Sequence, residues 1–230
     1  MAEACDYIIL GDSHTKALKD GFDANGLRAE VLTFSGNLWH AGHIVPDDQH
    51  GVTSNLAAVR QVIAAMEERI GTTMVTAGVP VIASVGYHLG RLAPPYSFRG
   101  HVANRADFTA DGESLFTSQG FLRAYLRHHR HFLVKLLRRL NRAAPVLVVA
   151  PPDVRDAPNY AVMRTMITEL IRESSIAVHD PCETGRFAGM RPLGEDHLAE
   201  DRVHGNARYG AELVADLLAR GAIPQAAAAD

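Results

Sequence analysis

Tyr7 to Leu18 reads YIILGDSHTKAL, and the rest of the chain follows from how this stretch is read. Ile8, Ile9 and Leu10 complete a buried strand candidate, Tyr7–Leu10. Gly11 lets the backbone turn sharply after it. Asp12, Ser13 and His14 then fall where a helix begins. The first N–H groups of a helix have no acceptor inside it and carry the positive end of its dipole. A serine at that point has its hydroxyl beside donors suited to a developing oxyanion. Ser is also a favoured helix cap. The segment alone leaves both roles open.

The same alternation runs on. Ala29–Phe34 (AEVLTF), Pro80–Val85 (PVIASV), Val146–Ala150 (VLVVA) and Ile176–His179 (IAVH) are further strand candidates. Their continuous apolar character suits strands buried on both faces. Between them the period lengthens. Leu56, Val59, Ile63, Met66 and Ile70 step by three and four, as one helix face does. Leu122, Leu126, Leu133, Leu136 and Leu140 predict one longer helix. Tyr160 to Ile171 and Tyr209 to Leu217 carry two more stripes. This order predicts an α/β fold: a three-layer α/β/α sandwich with a mostly parallel five-stranded sheet, flavodoxin-like in type. Residues 1–222 read as one such domain, and 223–230 as a frayed tail. Two connections are long, Gly36 to Ser54 and His88 to Ser118. Long loops in a compact domain tend to be functional. Both follow strands, which places them at the sheet edge where open parallel sheets bind ligands.

The formal net charge of −3 gives no reason to expect nucleic acid or a membrane as partner. The run RHHRHFLVKLLRR, Arg127 to Arg139, is a local basic exception. Cys5 and Cys182 are too few for a disulfide framework and read as free thiols. MAEACD lacks the basic and apolar regions of a signal peptide, so a cytoplasmic location is the expectation. A removed leader or a longer parent chain stays open.

A serine needs a base to take its proton. Near the other end, Glu200–Gly210 reads EDRVHGNARYG. Asp201 stands three residues before His204, so one short turn can present both side chains together. The imidazole would then meet the carboxylate at one nitrogen and Ser13 at the other. Asp196 and His197 are a nearby pair with poorer geometry.

Gly-Asp-Ser-His early and Asp-x-x-His late, followed by Gly-Asn and a Tyr-Gly helix, resemble the SGNH (GDSL) hydrolase superfamily. That resemblance implies a parallel α/β fold and an ester-cleaving triad of Ser13, Asp201 and His204, with no metal or organic cofactor. It implies an oxyanion hole built from the backbone N–H groups of Ser13 and Gly36. The family's Gly-x-Asn-Asp after the third strand is here Gly86-Tyr87-His88-Leu89, so the asparagine is missing. His88 can donate one hydrogen bond in its place. Asn37 is the alternative donor, and an incomplete hole with lost catalysis is a third reading. Pro151-Pro152 matches the family's proline-bearing turn after the fourth strand.

Trp39, Tyr87 and Asp12 are candidates for the substrate wall. The plainer role of Asp12, with His14, is local hydrogen bonding that fixes the turn. His40, His43 and His50 suit a cleft lining better than a metal. His128, His129 and His131 sit among arginines, which disfavours a cation there and suits a solvated face. The chain has no phosphate-binding G-x-x-x-x-G-K-[ST] loop, no G-x-G-x-x-G after a strand and no G-x-S-x-G elbow. The expected activity is hydrolysis of an ester, a short acyl group such as acetyl on a polar or carbohydrate carrier. Acyl transfer by the same triad and a non-catalytic binding domain are the alternatives.

Overall fold

The computed structural model describes residues 5–41, 43–47, 51–89, 101–109, 115–154 and 158–225. Its centre is a five-stranded parallel sheet. In chain order the strands and helices are β1 (Tyr7–Gly11), α1 (Thr15–Ala24), β2 (Ala29–Thr33), α2 (Gly36–Ala41), β3 (Val45–Asp47), β4 (Gly51–Thr53), α3 (Ala57–Ile70), β5 (Val81–Ser84), β6 (His101–Val102), β7 (Leu115–Phe116), α4 (Gln119–His129), α5 (His131–Ala143), β8 (Val146–Val149), α6 (Pro158–Arg172), β9 (Ala177–His179) and α7 (Ala207–Ala219). The sheet order is β2-β1-β5-β8-β9. Every neighbouring pair is parallel, with Leu10 opposite Leu32 on one side and Ala83 on the other. This is the expected α/β architecture, flavodoxin-like in strand order. The order reverses between β1 and β5, and ligands of such sheets bind in the crevice beyond the carboxyl ends at that point.

Alternation along β1 splits the core in two. Ile8 and Leu10 face the side covered by α3, α5 and α6, where Val59, Met66, Leu136, Leu140 and Ile167 are buried. Tyr7 and Ile9 face α1 and α7, against Phe22, Leu213, Val214 and Leu217. Each such side chain contributes on the order of 1.5–3 kcal/mol by leaving water. Helices α1 and α7 pack almost backbone to backbone. A Cβ at Gly21 would overlap the Gly210 carbonyl, and one at Gly210 would overlap that of Ala17. Both helices start at the carboxyl edge of the sheet, so this close approach brings their leading turns side by side.

Three expectations change here. The predicted long helix is two helices, α4 and α5, broken at Arg130, whose φ of −101° and ψ of 4° leave the helical region. The leucine stripe continues across the break because Arg130 is itself buried in it, 4% exposed. Gly11 has no positive φ. Its lack of a side chain serves close approach, since a Cβ there would overlap the Ser84 carbonyl of β5. The tail does not begin at 223: Ile223 is buried in the α1–α7 core because α7 ends above an apolar site that it fills. Residues 226–230 lie outside the described residues, as do most of the second long connection and His50. Within the first long connection the described residues form α2 and the antiparallel pair β3–β4.

Candidate active site

Ser13 sits in the turn between β1 and α1, and His204 in the loop before α7. The α1–α7 contact sets them together across 191 positions of sequence: His204 Nε2 is 2.7 Å from Ser13 Oγ. His204 Nδ1 is 2.6 Å from Asp201 Oδ2. The other oxygen, Asp201 Oδ1, accepts from the Val203 N–H at 2.9 Å and the His204 N–H at 3.1 Å. These amide bonds, with the His204 ring, hold the Asp201 carboxyl down at about 2. An ionised carboxylate can only accept, so the proton of His204 lies on Nδ1. Nε2 is left to accept from the Ser13 hydroxyl.

The loop that carries Asp201 and His204 is itself held. Arg202 adopts a left-handed φ of 55°, which closes the short turn between them. Asn206 caps α7 by accepting from the Tyr209 N–H, and its amide donates to the carbonyls of Asp196 and Leu198. The His204 carbonyl accepts from the Ala199 N–H at 2.8 Å. His197 lies apart from Ser13 in this arrangement, bonded through Nε2 to Glu212 at 3.0 Å.

Ser13 does not cap α1. The cap position is His14, whose own side chain makes no capping hydrogen bond. Asp12 fixes the turn, its Oδ1 accepting from the His14 N–H at 3.1 Å and its carbonyl from the Thr15 N–H and hydroxyl. Asp12 is 3% exposed, and burial pushes its carboxyl up to about 6. Burial and the neighbouring His204 pull His14 down to about 3, so it is neutral at pH 7. The rings of His14 and His204 are 4.7 Å apart. A neutral His14 places no second positive charge beside the His204 ring.

The second side of the site is more deeply enclosed. A cavity of about 480 Å³ is lined by Asp12, Gly36, Trp39, His88, Arg130 and Phe132, among others. The His88 ring lies against Gly36, where a Cβ would overlap it. Burial first, then the Arg130 charge, lowers His88 below the usual imidazole range. It is therefore a neutral ring at pH 7 with one N–H to donate. Arg130 Nε donates to the Gly86 carbonyl at 2.6 Å, and Nη2 donates to the His88 carbonyl at 2.8 Å. The guanidinium thus clamps the segment that carries His88. Burial brings Arg130 down to about 10, which still leaves it a cation. Trp39 is half-buried. Its Nε1 donates to the Gly11 carbonyl at 2.9 Å, and its ring packs edge-on against Phe34. His43, His128, His129 and His131 also line this cavity. Asn37 is exposed at the start of α2.

Tyr87 is not part of the wall. It is 2% exposed and points into the core, its hydroxyl 2.9 Å from Thr168 Oγ1 and its ring beside Arg164. The chain turns after β5, so Tyr87 faces α6 while Gly86 and His88 face the cavity. Arg130 is the residue that sequence reading passed over. Its signal was a cation at a core position of the leucine stripe. Arg164, also buried, has a different role. It pairs with Asp180 at 2.6 Å and bonds the Pro151 carbonyl, tying the ends of β8 and β9 together.

No family model and no curated protein sequence matches this chain. Among solved structures, the periplasmic domain of a lipopolysaccharide acetyltransferase from Salmonella ser. Paratyphi A is similar, with a TM-score of 0.52. The match covers 96% of this chain and 85% of that one, at 9% identity. At that identity the likeness is one of fold. The neighbour is a periplasmic domain, which speaks against the cytoplasmic location expected from sequence, and that expectation is withdrawn. It rested on two free thiols and an unremarkable first few residues, neither of which a folded α/β domain needs to change with compartment.

Proposed function

We propose that this protein is a serine acyl-transfer enzyme acting on esters, with Ser13 as nucleophile, His204 as general base and acid, and Asp201 as the group that orients His204. The observation that carries the reading is the hydrogen-bonded line Asp201–His204–Ser13 at the carboxyl edge of the sheet. Ser13 Oγ attacks the acyl carbon while its proton passes to His204 Nε2. The negative charge that gathers on the carbonyl oxygen is held by the backbone N–H groups of Ser13 and Gly36 and by the His88 ring, which rests on Gly36. The tetrahedral species collapses with expulsion of the alcohol, which takes the proton from His204. The resulting acyl-enzyme then gives its acyl group to water or to an acceptor hydroxyl by the same steps.

Hydrolysis is the reading that the resemblance to SGNH hydrolases supports. Transfer to an acceptor is the second reading, favoured by a fold neighbour that is an acetyltransferase. Both run through the same acyl-enzyme. A short acyl group on a sugar suits a site whose wall combines Trp39 with the His88 ring.

A fluorophosphonate probe tests the common step. Wild-type protein is expected to be labelled at Ser13, and Ser13→Ala and His204→Ala to lose labelling while keeping their circular dichroism. Equal labelling of wild type and Ser13→Ala would reject the nucleophile, and no labelling of any form would favour a binding domain. Product analysis with and without candidate alcohols then separates hydrolysis from transfer.

A further inference from the structure

Arg130 aside, which clamps the segment carrying His88, the lysine and arginines of the basic run noted in the sequence lie outside the site at Ser13. In the structure, Lys135, Arg138, Arg139 and Arg142 recur at i, i+3, i+4 and i+7 along α5 and so share one helix face. That stripe is about 10 Å long at the α-helical rise. With Arg127 and His131 it lines a groove of about 710 Å³ beside α6, whose apolar wall includes Val134 and Leu170. Among the described lining residues Glu173 is the only carboxylate, and it pairs with Arg127 at 3.2 Å. Among the described residues, Lys135, Arg138, Arg139 and Arg142 make no ion pair. Such a concentration on a chain of net charge −3 is strongly uneven. His131 also lines the cavity that holds Asp12 and Gly36, so the groove adjoins the enclosed side of the site.

We propose that the α5 groove binds an acidic carbohydrate chain, its charges borne by carboxylate or phosphate groups, and leads its acylated sugar toward Ser13. The second half rests on the acyl-transfer reading; the first does not. A row of cations suits a ligand with several spaced charges better than a single anion, and arginine forks match both oxyanions. The groove is concave, which suits a chain rather than a bilayer. Its described lining holds no Phe, Tyr or Trp on which nucleic-acid bases would stack. Such aromatics lie instead in the adjoining cavity, where Trp39 and Phe132 suit a sugar ring, and Phe132 is stacked with His43 at 5.1 Å.

The test uses the full chain and three fluorescent probes: a galacturonate octamer, a phosphorylated mannose oligomer and a neutral mannose oligomer. At low salt at least one acidic probe is expected to bind and the neutral one not to. Binding should weaken about tenfold in the doubly reversed variant R138E/R142E, with an unchanged melting temperature, and K135E should give a smaller loss. The proposal is overturned if neither acidic probe binds, if the neutral probe binds equally, or if the reversed variant binds as wild type does. Tighter binding to phosphatidylglycerol vesicles or to single-stranded DNA than to either acidic probe would overturn it as well. These outcomes stand whether or not Ser13 reacts with a fluorophosphonate. If it does, kcat/KM for an acetylated galacturonate octamer relative to p-nitrophenyl acetate is expected to fall about tenfold in the reversed variant. An unchanged ratio would detach the groove from the reaction.

Discussion

The two sides of the site are built on different principles. On one side, Ser13 and the Asp201–His204 turn are short local motifs at helix starts, and their side chains are substantially exposed. On the other side, Gly36, His88 and Arg130 come from three separate elements and enclose a cavity. The first side needs only two helices packed closely enough to bring their leading turns into contact. The second needs a buried cation, a ring pressed on a glycine and a broken helix to hold one donor in place. In the proposed reaction, proton transfer depends on the first and stabilisation of developing charge on the second.

Removing the carboxylate from the exposed side should have the larger effect. Asp201→Asn keeps the shape but can donate to Nδ1, which favours the wrong tautomer of His204, and kcat should fall about 10⁴-fold. Esterase assays on a small acetyl ester read this directly; a loss of less than tenfold would leave Asp201 a structural residue. On the enclosed side, His88→Ala should lower turnover by about 10²- to 10³-fold with little change in melting temperature. An unchanged rate would hand the donor role to Asn37 and make the second side a wall only.

A smaller and different effect is expected at Asp12, which borders both sides. Its folded pKa, about 6, lies above the usual carboxylate value of 3.8. The folded state therefore binds the proton more tightly than the unfolded state. Stability is lost as pH rises from about 4 to about 6, by up to about 3 kcal/mol. Asp12→Asn removes the charge while keeping an oxygen for the His14 N–H. It should match wild type near pH 4, exceed it above pH 6 and leave the profile flatter between. Denaturant melts at several pH values measure this, and equal profiles would mean that the Asp12 charge is compensated in the folded state.

Much of the exposed side was legible in sequence because its parts are local. Gly-Asp-Ser-His after an apolar run, and Asp-x-x-His before an amphipathic helix, each place their side chains by a turn of a few residues. The alternation of apolar strands and periodic helices likewise led to the five-stranded parallel sheet. The enclosed side was legible only in pieces. Gly36 and His88 could be placed after their strands, but nothing in the spacing said that the ring would rest on the glycine. Tyr87, one residue from His88, reads like a wall residue and is core, since the turn after β5 sends neighbouring side chains opposite ways. Arg130 hides among leucines and basic residues, where periodicity says core and charge says solvent.

Sequence alone determined the layered α/β architecture, the chain order of its five sheet strands and the two segments able to supply hydroxyl, imidazole and carboxylate. Those follow from patterns that repeat over a few residues, which short-range sterics and burial enforce. Tertiary structure decided that the segments meet, because the glycine-to-glycine packing of α1 on α7 sets their distance. It also decided that a buried guanidinium breaks the long helix and clamps His88. Both depend on which distant backbone comes to lie against a given residue, and that is a property of the whole fold.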